Sequence, residues 1–344
     1  MIQTQTQLES FIHSIRNETH LAIDTEFKRT STYYPVLCLI QIATNSNTDC
    51  IDVLAINDLT PLFDKLYQDE CLWIVHSARQ DIEALYYLSN KLPKQLFDTQ
   101  IAASLLNYPG QISYQALTES LQNVFLEKAY TRLDWTTRPL PDGAIEYALD
   151  DVRYLIKNYF QLEQQLESEG KLNWISEESN YLLDVQLYNP PVDNAWQKVK
   201  GFSRLAKKHH THAAQLAAYR EHQAKNKNKP RKWIMADDKL IAYVLGSEKL
   251  SKKAEDSFNK FIANNQSLES IKIMISNKIP TKTEKMQKKE LQKLIQKIAN
   301  KYNLDDKIIA NGKSLLSFIR GDRSVIFLKG WRYEILQEEI ENAK

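Results

Sequence analysis

Apolar residues in the first half of the chain recur with two periods, and each change of period marks an element. Leu8, Phe11, Ile12 and Ile15 lie at helical spacing, which predicts a first helix from Gln3 to Asn17. Leu21-Ala22-Ile23-Asp24-Thr25-Glu26-Phe27 then reads as a short buried strand, Val36 to Ala43 as a long apolar central strand, and Thr48 to Val53 as a third. Asn45-Ser46-Asn47 supplies turn chemistry between the last two, so an antiparallel meander is expected. Leu59 to Tyr67 reads as a short amphipathic helix. Leu72 to His76 returns as a buried strand that feeds a helix from Ala78 to Ser89. Phe97-Asp98-Thr99 is a further short strand, followed by helices near Gln100 to Asn107 and Tyr114 to Asn123. Beyond Pro139-Leu140-Pro141 the pattern predicts one long helix to about Glu167, with Asp142 as its N-cap. A mixed sheet flanked by helices accommodates this succession.

The second half has no strand signal. Pro190-Pro191-Val192-Asp193-Asn194 is the best linker in the chain, because two successive prolines preclude helix. Trp196 to Gln223 reads as two helices, Lys225 to Lys232 as a basic loop, and Asp237 as the cap of the next helix. A lysine-rich stretch, Lys278 to Lys289, precedes a final helical unit that ends in Lys329-Gly330-Trp331-Arg332-Tyr333. The expected class is α/β plus all-α, with a mixed-sheet domain over 1–185, a linker over 186–193, and helical domains over 194–277 and 278–344.

Composition changes this picture in two places. Three cysteines, Cys38, Cys50 and Cys71, lack metal-ligand spacing and are odd in number, which suits reduced, buried thiols. With no basic, apolar leader and no apolar run near ~18 residues, the expectation is a soluble, cytoplasmic protein with no membrane partner, and a monomer is favoured. The net charge of +2 conceals a polarity: residues 1–185 carry 13 Lys+Arg against 26 Asp+Glu, and the remainder 32 against 17. An acidic half suits a metal site, and a basic half suits a polyanion such as nucleic acid.

Candidate chemistry begins on the first strand. Asp24 and Glu26 are two apart, so the pleat turns both to one face, where like charges repel unless a cation lies between them. Asp81 opens the helix after His76, and Tyr147 and Asp151 share a helix face at i, i+4. Four carboxylates and a phenol from separate elements form a set able to hold two divalent ions about 3.5–4 Å apart for in-line phosphodiester displacement. Hard oxygen donors point to Mg²⁺ or Mn²⁺ rather than zinc.

These residues carry a resemblance. Asp24-Thr25-Glu26-Phe27, the stretch from His76 to Asp81, and Tyr147-Ala148-Leu149-Asp150-Asp151 resemble the three motifs of the DEDD superfamily of 3′→5′ exonucleases, in its Tyr branch. Lys128, Arg132-Leu133-Asp134-Trp135 and Arg138-Pro139-Leu140 resemble the segment before the third motif. Ala195-Trp196, Leu216 to Glu221, Pro230 to Ile234 and, later, Gly330-Trp331-Arg332 resemble two HRDC modules. In this order the set is similar to the bacterial ribonuclease D family over nearly the whole chain.

The resemblance implies a ribonuclease H-like exonuclease domain followed by two HRDC-type domains. It also implies metal-dependent release of nucleoside 5′-monophosphates from the 3′ ends of transfer-RNA precursors and other structured small RNAs, the basic helical domains binding RNA. An exonuclease acting on DNA 3′ ends and a catalytically silent RNA-binding protein are the alternatives. Asp24, Glu26 and Asp151 would hold one ion, Asp24 would bridge to a second, Asp81 would act on that second ion through water, and Tyr147 would orient the attacking water. Asp150 competes with Asp151, and the i, i+4 spacing from Tyr147 favours Asp151. Thr25, Phe27, His76, Trp135 and Arg138 are candidate substrate contacts, with structural readings open for each: a satisfied histidine at a strand end, packing for Phe27, core or surface for Trp135 and Arg138.

Overall fold

The computed structural model describes residues 1–127, 129–271, 273 and 279–341; Lys128, Lys278 and the expected boundary at 277/278 lie outside these. Its first elements are α1 (Gln5–Ser14), β1 (His20–Lys28), β2 (Val36–Ala43), β3 (Thr48–Asp52), α2 (Thr60–Leu66), β4 (Leu72–Val75), α3 (Arg79–Ser89), β5 (Gln95–Asp98) and α4 (Thr99–Leu105). Next come α5 (Tyr114–Gln122), α6 (Ala144–Arg153), α7 (Leu155–Ser168) and α8 (Leu172–Tyr181). The remainder is helical: α9 (His210–Asn226), α10 (Arg231–Ile234), α11 (Asp237–Val244), α12 (Lys252–Ala263), α13 (Lys282–Lys301), α14 (Asp306–Ile309), α15 (Gly312–Ile319) and α16 (Gly330–Glu341).

β1 occupies the middle of a five-stranded sheet of order β3-β2-β1-β4-β5. β2 and β3 are antiparallel, with Ile40 opposite Ile51, whereas β4 runs parallel to β1, with Leu21 beside Trp73, and β5 runs parallel to β4. The β1–β4 register ends at Ala22 and Ile74, so Asp24 and Glu26 lie beyond it toward the carboxyl end of the central strand. That end is where ligand crevices form in sheets of this kind. Leu21, Ile23, Leu39 and Ile40 are fully buried, and all three cysteines are buried free thiols. Among the described residues no helix is long and apolar enough to cross a membrane.

Two expectations for α6 are corrected. The predicted single helix is two, because the Tyr114 hydroxyl donates to the Asp150 carbonyl at 2.9 Å and accepts from the Tyr154 N–H at 3.3 Å. A side chain inserted into the i→i−4 ladder breaks a helix at that point. Asp142 is not the cap either: Gly143 holds that position at φ +82, a left-handed conformation that glycine adopts without a Cβ penalty, and the Asp142 carbonyl accepts from the Tyr130 hydroxyl.

The chain forms two compact units, one of Met1–Phe27, Leu37–Leu183 and Pro280–Lys344, the other of Lys28–Val36 and Asp184–Ile279. In the second, α9 packs its Leu216 into an apolar cluster with Leu240, Phe258 and Phe261. The pair of helices expected over Trp196 to Gln223 is instead a series of 3₁₀ turns and the single helix α9, since Gly201 at φ +85 interrupts regular structure. Asp237 does not cap α11; Ala236 does. The Asp237 carboxylate instead accepts from buried Arg220 at 2.6 Å and from the Lys200 N–H at 3.1 Å. Buried Glu221 accepts from the Tyr33 hydroxyl and is paired with Arg231, while Asn228 Oδ1 accepts from the Tyr33 and Tyr34 N–H groups at 3.0 Å each.

In the first unit, the C-terminal helices share a hydrophobic cluster with α4, α5, α7 and α8. Trp331 stacks on Trp174 with centroids 4.4 Å apart and planes 13° off parallel. Glu177 Oε2 accepts from the Trp331 N–H at 3.0 Å, placing an anion at the start of α16 where the helix dipole favours one. Glu178 accepts from the Trp331 indole at 2.9 Å and pairs with the Arg332 guanidinium. Glycine is required at position 330, where φ is +50 and a Cβ would lie 1.8 Å from Glu177 Oε2. Gly330→Ala is therefore expected to cost on the order of 3 kcal/mol in chemical denaturation. In a Glu177→Ala background the same change is expected to cost only about 1 kcal/mol, the left-handed backbone penalty. Equal costs in both backgrounds would refute the contact.

Candidate active site

Asp24 and Glu26 are presented by the central strand, as the two-residue period requires. Asp151 reaches them from α6, and one oxygen from each of the three lies within 4.8 Å of the others. Among the described residues this is the one group of three or more metal-ligating side chains that converge so closely. Asp150, one residue away, turns instead to an ion pair with Arg153.

Asp81 stands in the first turn of α3, a position the helix dipole favours for an anion, and is buried. It lies outside the three-carboxylate cluster and accepts from the Thr25 hydroxyl at 2.6 Å. Thr25 is itself buried, so its side chain supports Asp81 from within the protein.

The electrostatics of the cluster are unfavourable without a cation. Burial, with Asp81, Asp151 and Glu26 adding like charge, raises Asp24 well above the ordinary carboxylate range. Burial, then Asp151 and Asp81, pushes Glu26 up to about 8. Asp81 is raised to about 7, mainly by burial and against the Thr25 hydrogen bond. Asp151 reaches about 7 through burial and then the charges of Asp150 and Asp81. Hard carboxylate oxygens gathered this closely, all of them held in unstable charge states, fit a divalent cation that prefers oxygen.

Tyr147 is half-buried one helical turn before Asp151. Its phenol is raised above its usual value by burial and then by Asp151, Glu26 and Asp24, so it keeps its proton across the neutral range. Its ring is flanked by Tyr130, 5.7 Å away and edge-on, and by Trp135, 6.5 Å away and nearly parallel. Trp135 is buried.

The remaining sequence-selected residues are placed as follows. His76 uses both ring nitrogens inside the protein, Nδ1 with Thr99 Oγ1 and Nε2 with the Ile112 carbonyl, each at 2.9 Å. Facing a carbonyl, Nε2 must donate, and burial lowers the ring's pKa, which keeps it neutral. Arg138 donates to Asp52 from Nε at 2.7 Å and Nη2 at 2.6 Å, and from Nη1 to the Trp135 and Thr137 carbonyls. Phe27 is half-buried at the end of β1.

Two positioning residues escaped the sequence. Tyr114 divides α6 from α7 and so fixes how Tyr147 and Asp151 are presented. Asp98 receives the Ser77 and Ala78 N–H groups at 3.0 and 2.8 Å and also caps α4, which holds the turn that delivers Asp81. An aspartate directly before a helical pattern was the available signal for Asp98; Tyr114 had none, since its partners are 36 and 40 residues away.

Known proteins resemble this chain in sequence and in fold. A sequence model of 3′–5′ exonucleases matches residues 1–167. The chain is 32% identical to ribonuclease D of Bartonella henselae over 362 aligned residues, spanning 99% of this chain and 89% of that one. It is also 32% identical to ribonuclease D of Sphingobium indicum, spanning 97% and 91%. Among solved structures, Escherichia coli RNase D, an exoribonuclease involved in structured RNA processing, superimposes with a TM-score of 0.83 at 24% identity, over 99% of this chain and 97% of that one. A protein from Bifidobacterium adolescentis does so at 0.70 and 20% identity, over 100% and 96%. The fold is thus the expected ribonuclease H-like sheet followed by an HRDC-type helical region. With its acidic cluster and its extended likeness to these relatives, the chain belongs to the ribonuclease D family of metal-dependent 3′→5′ exoribonucleases.

Proposed function

We propose that this enzyme trims the 3′ ends of structured small RNAs, transfer-RNA precursors among them, one nucleoside 5′-monophosphate at a time, in the cytoplasm and as a monomer. The observation that carries the reading is the convergence of Asp24, Glu26 and Asp151 beside a protonated phenol. The choice of structured RNA is supported by the likeness to the Escherichia coli enzyme. Residues 1–185 are assigned to the exonuclease domain, 186–193 to a linker, and 194–277 and 278–344 to two HRDC-type domains that bind RNA.

Asp24, Glu26 and Asp151 would hold one divalent ion, Mg²⁺ or Mn²⁺, and Asp24 would also reach a second, on which Asp81 would act through water. When bound, such ions supply positive charge that lowers the pKa of a neighbouring water and compensates charge at the scissile phosphate. Tyr147 donates its hydroxyl proton in a hydrogen bond that orients the water, and its raised pKa suits it to positioning rather than to proton abstraction. Thr25 fixes the carboxyl of Asp81 by donation. Phe27, half-buried at the end of β1, is assigned to contact the terminal base, whereas His76, Trp135 and Arg138 are engaged within the protein and support the site from behind.

Carboxylates with raised folded-state pKa hold protons that the unfolded chain releases. Their contribution to metal-free stability is therefore full below about pH 4, the unfolded carboxylate value, and is lost as pH rises through about 7 for Asp81 and Asp151 and about 8 for Glu26. Thermal melting in chelator is expected to show this decline, with Mn²⁺ reversing it at pH 8. Asp24→Asn removes one of the repelling charges, so it should melt higher than wild type in chelator at pH 8, gain little from Mn²⁺, and lose at least about 100-fold in turnover. A pH-independent melt, or wild-type turnover in that variant, would contradict the assignment. Tyr147→Phe is expected to lower kcat on a 3′-labelled RNA by about 100-fold with KM nearly unchanged; a raised KM with full kcat would make Tyr147 a substrate contact. A matched DNA oligonucleotide should be cut far more slowly than RNA, and equal rates would move the substrate to DNA.

A further inference from the structure

Helix α13 carries seven lysines against two glutamates over twenty residues. Four of the lysines, Lys285, Lys289, Lys293 and Lys297, follow one another at i, i+4, and Lys282 continues the row at its start. All five are exposed, and they share the face opposite the apolar seam of Ile295 and Ile298, which packs into the hydrophobic cluster. Like charges at i, i+4 destabilise a helix by about 0.2–0.5 kcal/mol per pair, and three such pairs run in series here. Surface helices ordinarily relieve this with acidic residues one turn away.

For Lys282, Lys285, Lys289 and Lys293 that relief is missing among the described residues. Glu284 lies on another face, where it closes the capping box with Thr281 and pairs with Arg320. Glu290 stands at the flank, and the other residues between the lysines on this face, Met286, Gln292 and Gln296, are uncharged. Among the described residues, Lys282, Lys285, Lys289 and Lys293 make no ion pair with an acid of the chain. The row advances about 6 Å along the axis per lysine, a step commensurate with the repeat of a sugar–phosphate backbone. It belongs to the same compact unit as the acidic cluster, on a helix anchored by the buried face just described.

We propose that the lysine row of α13 is a track for the phosphate backbone of the RNA body, adding sequence-independent affinity while the 3′ end occupies the carboxylate cluster. This rests on the exoribonuclease reading. The repulsion built into the helix is relieved when a polyanion lies along it, which makes the row a binding device that costs stability in the free protein.

The test is the double variant Lys285→Glu/Lys293→Glu, which converts all three i, i+4 pairs into attractive ones. Its helix is expected to be firmer, so the protein should melt at a higher temperature. RNA binding, measured by fluorescence anisotropy in chelator, is expected to weaken about tenfold at low salt, with the slope of log K against log salt shallower by about 1.4, two contacts at ~0.7 each. KM for a long structured RNA should rise in parallel, with kcat and the hydrolysis of a trinucleotide unchanged. A higher melting temperature with wild-type affinity and salt slope would make the row a solvated surface and overturn the proposal. Loss of trinucleotide hydrolysis in the variant would also overturn it, by tying the lysines to catalysis. If the wild-type protein binds long RNA with the expected salt slope yet cuts neither substrate, the exoribonuclease reading fails while the track stands.

Discussion

The arrangement depends on mutual repulsion among closely gathered, partly buried carboxylates. Asp24, Glu26 and Asp151 face one another across less than 5 Å, with buried Asp81 adding its field from the start of α3, and their partial burial weakens the screening that water would give their charges. A protein retains such a cluster at a cost to its own stability, and strained electrostatics of this kind mark functional sites. Much of the first unit can be read as scaffolding that resists this repulsion. The central strand fixes two of the acids, the Asp98 cap holds the turn that delivers Asp81, and the Tyr114 hydroxyl sets the helix break above Asp151.

The opposite charge is kept on other elements. The first half of the sequence is acidic and the second basic, a division that suits a metal site in one and a polyanion in the other. The Glu177–Glu178 clamp on Trp331 and Arg332 seats the C-terminal helices on the catalytic unit, so the lysine row of α13 is carried by packed structure rather than by a tether. Buried ion pairs contribute little net stability, but their geometric demands fix a single arrangement.

Local patterns made much of this legible. The period of two put Asp24 and Glu26 on one face, and the i, i+4 spacing separated Asp151 from Asp150, because both rules involve only neighbouring residues. The order of strands and helices followed from hydrophobic periodicity. What escaped depends on partners distant in sequence. Tyr114 breaks a helix whose own pattern is continuous, and Glu177 acts on a backbone N–H 154 residues away. His76 and Arg138 are residue types suited to substrate contact, yet their hydrogen bonds are met by Thr99, Ile112 and Asp52, none of which is nearby in sequence. Asp98 ends β5 and caps α4, and the three residues Phe97-Asp98-Thr99 signal a strand end and a cap alike.

The direct test of the central claim is a crystal of the protein grown at pH 8 and soaked in manganese, with anomalous data collected at the manganese edge. The account predicts anomalous density enclosed by the carboxyl oxygens of Asp24, Glu26 and Asp151. Carboxyl groups turned away from one another, with no anomalous peak between them, would contradict it.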